Sequence, residues 1–326
     1  MEKSAPEQWC FISGKVSVLE NNLLRKDFFH RLLASEKPED LLVCLRESPL
    51  REHFNTIQDL YPFEDIINLH YFHHLWELRQ LAPSPEVCDL FQLRFDLINL
   101  KNFLKKKIAG ISPPAPFPSP MGEKTLEELW LGRDTSLPQV YKEAVATLRV
   151  YIKEATEDVS LVDLILDGAY LSSLAWVAEK ISSFLIKDYL LEYQRLRGIL
   201  ILGRALKLAK RDIMRFLPRE EILERLAPLP LEEWKRPILE TLPEKTVENI
   251  FAGAKKDLFT RYERHTEDYL MDRLEPARYV TFGPERVFGY LSGLTTEVFN
   301  LRLTLGGVLN KLGKDALRER LRKTYV

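Results

Sequence analysis

Cysteine pairs and long apolar runs are missing from this chain, and each absence excludes a class of protein. The three cysteines, Cys10, Cys44 and Cys88, are odd in number and widely spaced, which predicts neither a disulfide framework nor a thiolate zinc site. No stretch offers about 18 consecutive apolar residues, and the N-terminal sequence has no basic segment leading into an apolar core. We therefore expect a chain from a reducing compartment that is neither secreted nor membrane-spanning.

An excess of one charge is also missing. The 47 basic and 48 acidic residues nearly cancel, and no block of the chain carries a long run of one sign. The lysine triplet at residues 105–107 falls where a helix should end, and cations there are stabilised by the exposed carbonyls of the last turn. We therefore expect no nucleic-acid partner.

Signatures of catalysis are absent as well. The sequence has no G-x-S-x-G elbow, no Rossmann glycine fingerprint and no paired carboxylates in a setting that would shift their acidity. In "GGVLNKLGKD", five residues rather than four separate Gly307 from Gly313, and Asp315 follows Lys314 where a phosphate loop needs Ser or Thr. We expect no catalytic residue and no cofactor.

Three histidines at helical spacing form the one candidate metal site. His70, His73 and His74 lie in "HYFHHLWELR", with Glu77 one turn beyond. Imidazoles at i and i+4 can share zinc, but Tyr71 stands where the H-E-x-x-H pattern needs glutamate, and no distant ligand completes a shell. We favour histidines at the polar margin of a packed helix over a metal site, and a metal-dependent enzyme is kept as a third functional alternative.

Helical patterns run through the whole chain. Glycine numbers only 14, and apolar residues recur at spacings of three and four. One C-terminal stripe consists of Leu294, Val298, Leu301, Leu305, Val308 and Leu312. Gly313 is predicted to end this helix and Asp315 to cap a last one, while Gly110 is predicted to end an earlier helix. Gly306 and Gly307 inside a helix predict the close approach of another helix.

A polar motif occurs twice, 201 residues apart, because "DLINLKNFL" at residues 96–104 returns as "EVFNLRLTL" at residues 297–305. The polar members are Asp96, Asn99 and Lys101 in the first copy, and Glu297, Asn300 and Arg302 in the second. A degenerate copy, "GILILGRALK", falls between them, with Gly198 and Ile201 in place of the acid and the asparagine. The repeats predict three divergent helical units of roughly 100 residues each.

Two breaks separate these units. The segment "SPPAPFPSP" at residues 112–120 can continue neither helix nor central strand, and we interpret it as a stiff linker rather than an SH3 ligand. The second break lies near residue 218, so we predict helical domains at residues 1–112, 113–218 and 219–326. An acidic pair followed by a large apolar residue, at 39–41, 127–129 and 232–234, is predicted to mark the first turn of a helix in each.

The polar motif residues admit two interpretations. Asn and Asp in a helix interior need a partner, since they otherwise compete with the backbone and weaken the helix. They either hold neighbouring helices by side-chain hydrogen bonds or face a partner protein. We favour the internal role.

The two motif copies and the closing segment "LRERLRKTYV" resemble the C subunits of the V-type and archaeal-type ATPases, the counterparts of the eukaryotic V-ATPase d subunit. The segment "ISGKVSVLENNLL" near the start is similar to the first helix of that family. The resemblance implies an all-α fold in which three similar helical domains are arranged with pseudo-threefold symmetry into a funnel.

The resemblance also implies a function. Proteins of this family are non-catalytic rotor parts, sockets on the cytoplasmic face of the membrane that couple the central shaft, made of the D and F subunits, to the proteolipid c-ring. They transmit torque for ATP-driven ion or proton transport or for ATP synthesis, as peripheral proteins without a cofactor. The alternative is an all-helical scaffold that binds peptides or partner helices, although three units are few for a solenoid.

Overall fold

The computed structural model describes residues 6–133, 137, 139–153, 159–209 and 211–326, and within these ranges every regular element is a helix. Because 73% of the structure is helical, the all-α prediction is confirmed. The α-helices are, in chain order, α1 (Cys10–Glu20), α2 (Lys26–Ala34), α3 (Pro38–Arg46), α4 (Arg51–Phe54), α5 (Phe63–Leu81), α6 (Glu86–Ala109), α7 (Glu123–Trp130), α8 (Gln139–Lys153), α9 (Val159–Ala178), α10 (Phe184–Lys207), α11 (Glu221–Leu226), α12 (Lys235–Ile238), α13 (Glu244–Phe251), α14 (Leu258–Arg273), α15 (Pro284–Leu309) and α16 (Lys314–Arg318). Short 3-10 helices span Pro6–Trp9, Arg211–Phe216, Leu231–Glu233, Lys255–Asp257 and Glu275–Tyr279.

The sequence repeat coincides with three long helices. Helices α6, α10 and α15 have 24, 24 and 26 residues, and they begin at Glu86, Phe184 and Pro284, intervals of 98 and 100 residues. Helices α6 and α15 carry the two copies of the polar motif, and α10 carries the degenerate copy. Helix α10 at residues 198–203 and helix α15 at residues 286–294 are buried around their whole circumference, as expected of helices that are apolar on several faces.

The chain divides into two compact units, Met1–Cys88 with Glu248–Val326 as unit 1 and Asp89–Val247 as unit 2. In unit 1, α15 packs against α1, α2 and α5. In unit 2, α9 packs against α8 and α10. The division into three domains and their arrangement as a funnel stay predictions.

Helix α9 is the one helix, among the described residues, that is long and apolar enough to cross a membrane by length and composition. In the qualifying window, 61% of the residues are buried in the interior of the fold, and core helices of soluble proteins meet the same criterion. Its Asp163 and Asp167 form ion pairs with Lys101 of α6.

The end of α15 differs from the prediction. Gly313 does not end the helix, because Lys311, with φ of 55°, takes the left-handed position two residues earlier. The Lys311 N–H donates to the carbonyl of Val308 and the Leu312 N–H to that of Gly307, so the two hydrogen bonds of a Schellman motif offset the cost of that conformation. Gly110, with φ of 64°, does end α6 as predicted.

Two smaller predictions about helix starts are also wrong. Asp315 lies inside α16, whose preceding residue is Gly313, so it does not cap this helix. The acidic pair at residues 127–128 lies in the second half of α7, because that helix already begins at Glu123 after Gly122. The pair Glu39 and Asp40 does lie in the first turn of α3.

The predicted close approach at the glycine pair applies to Gly307 alone. A Cβ atom on Gly307 would lie 2.6 Å from Leu317 Cδ1, so the missing side chain lets α16 pack against α15. A Cβ atom on Gly306 would lie 3.9 Å from the tip of the Phe63 ring, which is an ordinary contact.

Alanine substitutions at these two glycines are expected to have opposite effects. Gly306→Ala should raise the free energy of unfolding by up to about 1 kcal/mol, because alanine has the higher helix propensity. Gly307→Ala should lower it by about 1 kcal/mol net, because Leu317 is 1% exposed and has no free space to move into. Urea denaturation of both variants measures the difference, and equal effects would contradict this account of the pair.

Candidate functional site

Each asparagine of the repeated motif forms two hydrogen bonds to the main chain of one residue that is distant in the sequence. In unit 2, Asn99 Nδ2 donates to the carbonyl of Phe117 at 2.8 Å, and the Phe117 N–H donates to Asn99 Oδ1 at 2.9 Å. In unit 1, Asn300 Nδ2 donates to the carbonyl of Arg322 at 3.0 Å, and the Arg322 N–H donates to Asn300 Oδ1 at 2.9 Å. Each side-chain amide thereby satisfies both backbone groups of its partner, as a neighbouring strand would.

The segments held in this way have no regular structure of their own. Residues 111–117 and 321–326 are both outside helices, so their backbone groups have no intrahelical partners. Asn99 is 5% exposed and Asn300 is fully buried, and polar groups at such depth require hydrogen bonds. In unit 2, the carbonyl of Pro118 also accepts from Gln92, so the proline-rich segment is fastened along α6.

The acidic motif residues also bind segments outside their own helices. Asp96 Oδ1 accepts from Ser119 Oγ at 2.5 Å and from Gln92 Nε2 at 3.0 Å, and burial raises the pKa of the Asp96 carboxyl. Glu297 Oε2 accepts from the N–H of Leu24, in the turn between α1 and α2, at 2.5 Å. Both acids therefore fix a loop against the long helix that carries them.

The basic motif residues form ion pairs with a neighbouring helix. Lys101 Nζ lies 2.6 Å from Asp167 and 3.6 Å from Asp163, four residues apart on α9. Arg302 Nε lies 2.8 Å from Glu64 of α5, and its Nη2 donates to Asn68, four residues further along that helix. All six motif side chains thus have partners inside their own unit, and the two copies use them in the same way.

The degenerate copy replaces these polar contacts with apolar packing. Gly198 and Ile201 are buried in α10, and a Cβ atom on Gly198 would lie 3.0 Å from Leu223 Cδ1 of α11. Where α6 and α15 use an acid and an asparagine to bind neighbouring segments, α10 therefore packs against its neighbours through apolar contacts.

Four of the six histidines line one cavity of about 410 Å³ in unit 1. His70, His73 and His74 come from α5, and His53, which the sequence pattern did not point to, comes from α4. The ring centroids of His70 and His74 are 4.7 Å apart, and those of His53 and His70 are 5.3 Å apart. Over the described part of the chain, no group of three or more His, Cys, Asp or Glu side chains has the arrangement of a metal site.

The cluster should make the stability of unit 1 depend on pH. Burial first, and then the charges of His70, His73, His53 and Lys15, lower the pKa of His74 from 6.5 to about 3. The unfolded chain therefore binds a proton between pH 6.5 and 3 that the folded chain does not, so the free energy of unfolding should fall as the pH falls through this window.

We expect a loss of up to about 2 kcal/mol between pH 7 and pH 5 from this group, and a smaller slope for His74→Gln. Urea unfolding at pH 7, 6 and 5 measures both slopes. Because burial is the largest cause, the slope should persist in concentrated salt, and its disappearance there would contradict this assignment.

The fold and the motif together define an all-helical repeat protein. In two of its long helices, an acid, an asparagine and a base at equivalent positions bind neighbouring segments of the chain. The chain belongs to the ATP synthase (C/AC39) subunit family, whose model matches residues 12–320. It is similar to the V-type sodium ATPase C subunit of Enterococcus hirae, with 22% identity over 338 aligned positions that cover 94% of this chain and 95% of that relative. It is also similar to the A-type ATP synthase C subunit of Thermoplasma volcanium, with 23% identity over 103 positions, 30% of this chain and 29% of that relative. The resemblance to the C subunits of the V-type and archaeal-type ATPases is therefore confirmed.

Proposed function

We propose that this chain is a non-catalytic rotor component, a socket that couples the central shaft of D and F subunits to the proteolipid c-ring. The family model matches residues 12–320, and a relative named as the C subunit of a V-type sodium ATPase aligns along nearly its whole length; both support this role. In this role the chain sits at the cytoplasmic face of the membrane and transmits torque for ion transport or ATP synthesis.

The internal contacts of each unit suit a part that carries a mechanical load. In unit 1, Asn300 and Glu297 hold two separate segments against α15, and Arg302 ties α15 to α5. In unit 2, Asn99 holds the proline-rich segment against α6, and Lys101 ties α6 to α9. Packed protein interiors have low compressibility, and side-chain bonds to loop backbone leave those loops few ways to yield.

The socket must bind on two sides, and the proposed funnel of three similar domains provides both. Three long helices begin at intervals of about 100 residues, and this spacing supports a design with three similar domains, each of which contributes one long helix. One opening of the funnel would receive the foot of the shaft, and the opposite end would rest on the ring.

Binding of the shaft is the first experiment. The chain and a purified shaft of D and F subunits from the same organism are mixed and analysed by size-exclusion chromatography with light scattering. We expect a one-to-one complex. If the two proteins elute separately, both with and without detergent-solubilised ring, the socket is contradicted and the all-helical scaffold becomes the better account.

The ion pair of Arg302 separates an internal role of the motif from a partner-facing one. Arg302 is 30% exposed at its side chain and Glu64 is 51% exposed, so Arg302→Ala should change the free energy of unfolding by at most about 1 kcal/mol. Binding of the shaft should be unchanged, because the guanidinium contacts α5 within the same unit. Loss of shaft binding with unchanged thermal unfolding would show that this face of α15 meets the partner.

A further inference from the structure

We propose that a second cavity in unit 1 is a binding site for a small molecule that carries a phosphate group. The cavity has a volume of about 560 Å³ and lies where the start of α2, the middle of α14 and the segment after α16 meet. This volume falls in the range of small-molecule sites, roughly 300 to 1,000 Å³. The repeated motif contributes Asn300 to its lining.

The lining of the cavity is strongly basic in a chain whose net charge is only −1. Six lysines and arginines contribute to it, namely Lys26, Arg264, Arg278, Arg318, Arg322 and Lys323, together with His30. Among the described residues, Asp268 is the one acidic side chain in the lining, and burial raises the pKa of its carboxyl. Arg322 is neutralised by its ion pair with Glu267, and the remaining cations favour an anion with more than one negative charge.

The carboxylates that pair with two of these cations lie outside the cavity lining. Arg318 pairs with Asp315, whose side chain is 92% exposed, and Lys323 pairs with Asp272, whose side chain is 55% exposed. Pairs as exposed as these are weak, so both cations can turn to a ligand at little cost.

One arginine in the lining has a buried donor without an acceptor. Arg264 Nε is buried and, within the described part of the chain, has no hydrogen-bond partner, since Asp268 Oδ2 is 3.8 Å away. The Arg264 side chain is 31% exposed, and its ion pair with Asp268 is long, so the guanidinium is free to turn an N–H toward a ligand oxygen. Guanidinium groups bind phosphate through two parallel hydrogen bonds, which makes a phosphate oxygen the fitting acceptor.

The wall of the cavity is held in place before any ligand arrives. The backbone of Arg322 is bound on both sides by Asn300, and the N–H of Lys323 donates to Asp268 Oδ1 at 2.7 Å. A preformed site loses less conformational entropy on binding. Phe29, Leu321 and Tyr325 form an apolar side of the cavity. This side suits a ligand that has a ring or a chain attached to its phosphate.

The test is calorimetric titration of the full chain with ATP and with pyrophosphate at low salt. Lys26 and Arg278 are exposed, so Lys26→Gln with Arg278→Gln should leave the fold intact. We expect saturable binding by the wild type and a dissociation constant at least about tenfold weaker in the double variant. Arg225→Gln is a control for the loss of an exposed cation outside the cavity, because Arg225 forms an exposed ion pair with Glu240 in unit 2, and it should bind like the wild type.

A lipid headgroup offers the same phosphate chemistry, so a second arm uses sedimentation with vesicles of phosphatidylglycerol and with neutral vesicles. Binding of ATP or pyrophosphate identifies a soluble ligand, and binding of anionic vesicles alone, weakened by the double variant, identifies a headgroup. The proposal is overturned if neither probe binds, or if the double variant and Arg225→Gln weaken binding equally.

Discussion

Asn300→Leu is expected to lower the free energy of unfolding of unit 1 by about 3 kcal/mol or more. Asn300 is fully buried, and its amide satisfies both the N–H and the carbonyl of Arg322. Leucine has the same number and branching of side-chain heavy atoms but leaves two backbone groups without partners, each of which costs about 1–3 kcal/mol. The released segment also carries Tyr325, which packs against Gly289 and Gly293 of α15, so the loss should spread beyond one residue.

Urea denaturation of three variants tests this expectation. Asn99→Leu should have an effect of similar size in unit 2, because Asn99 makes the same two hydrogen bonds to Phe117. Asn310→Ala is the control at the end of α15, since the bond from its side chain to the carbonyl of Gly306 is exposed, and it should cost at most about 1 kcal/mol. If Asn300→Leu cost no more than this control, the fastening role of the motif would be wrong.

Arg286→Met is expected to cost about 3 kcal/mol at neutral pH, because it leaves the carboxylate of Glu20, whose side chain is only 12% exposed, without its partner. Arg286 is 7% exposed, and its Nη2 lies 2.6 Å from both Glu20 Oε2 and Ser17 Oγ of α1. Its Nη1 donates to the carbonyl of Arg278. The pair joins α15 to α1 inside unit 1, and methionine keeps the inner, unbranched part of the side chain without its charge.

The pH dependence identifies the cause of that loss. Burial already raises the pKa of Glu20, and Arg286 is the strongest influence that lowers it. Without the guanidinium the folded-state pKa of Glu20 rises further above the unfolded value of about 4.3, so the variant should lose stability as the pH rises from the unfolded value through the raised folded-state pKa. Adding Glu20→Gln should recover part of the loss at the upper end of this range, and a loss that is unaffected by pH and by this second change would contradict the assignment.

The sequence was sufficient to predict the long helices, the repeated motif and the end of α6, because these features depend on residues close together in the chain or on a repeat. The spacing of leucines and the two motif copies predict long helices about 100 residues apart, and α6 and α15 carry those motifs at the predicted places. Gly110 ends α6 because glycine tolerates the left-handed conformation. Gly313 has the same property, yet Lys311 takes that position, where the two hydrogen bonds of a Schellman motif close the helix.

The partners of the polar residues could not be predicted in this way. Asn99 and Asn300 bind residues 18 and 22 positions further on, in segments whose own pattern is irregular. His53 joins the histidine cluster from another helix, and the basic cavity combines residues from both ends of the chain. Such contacts depend on how distant elements pack, which a spacing of three or four residues does not encode.

In the proposed role this chain links the shaft to the ring, and sedimentation of the shaft with ring-containing proteoliposomes measures that link itself. The shaft of D and F subunits, the chain, and proteoliposomes that hold the c-ring are mixed in all combinations and pelleted. We predict that the shaft enters the pellet only when the chain is present, in a one-to-one ratio with it. A shaft that pellets equally well without the chain, or a chain that binds ring and shaft only in mutually exclusive complexes, would contradict the claim.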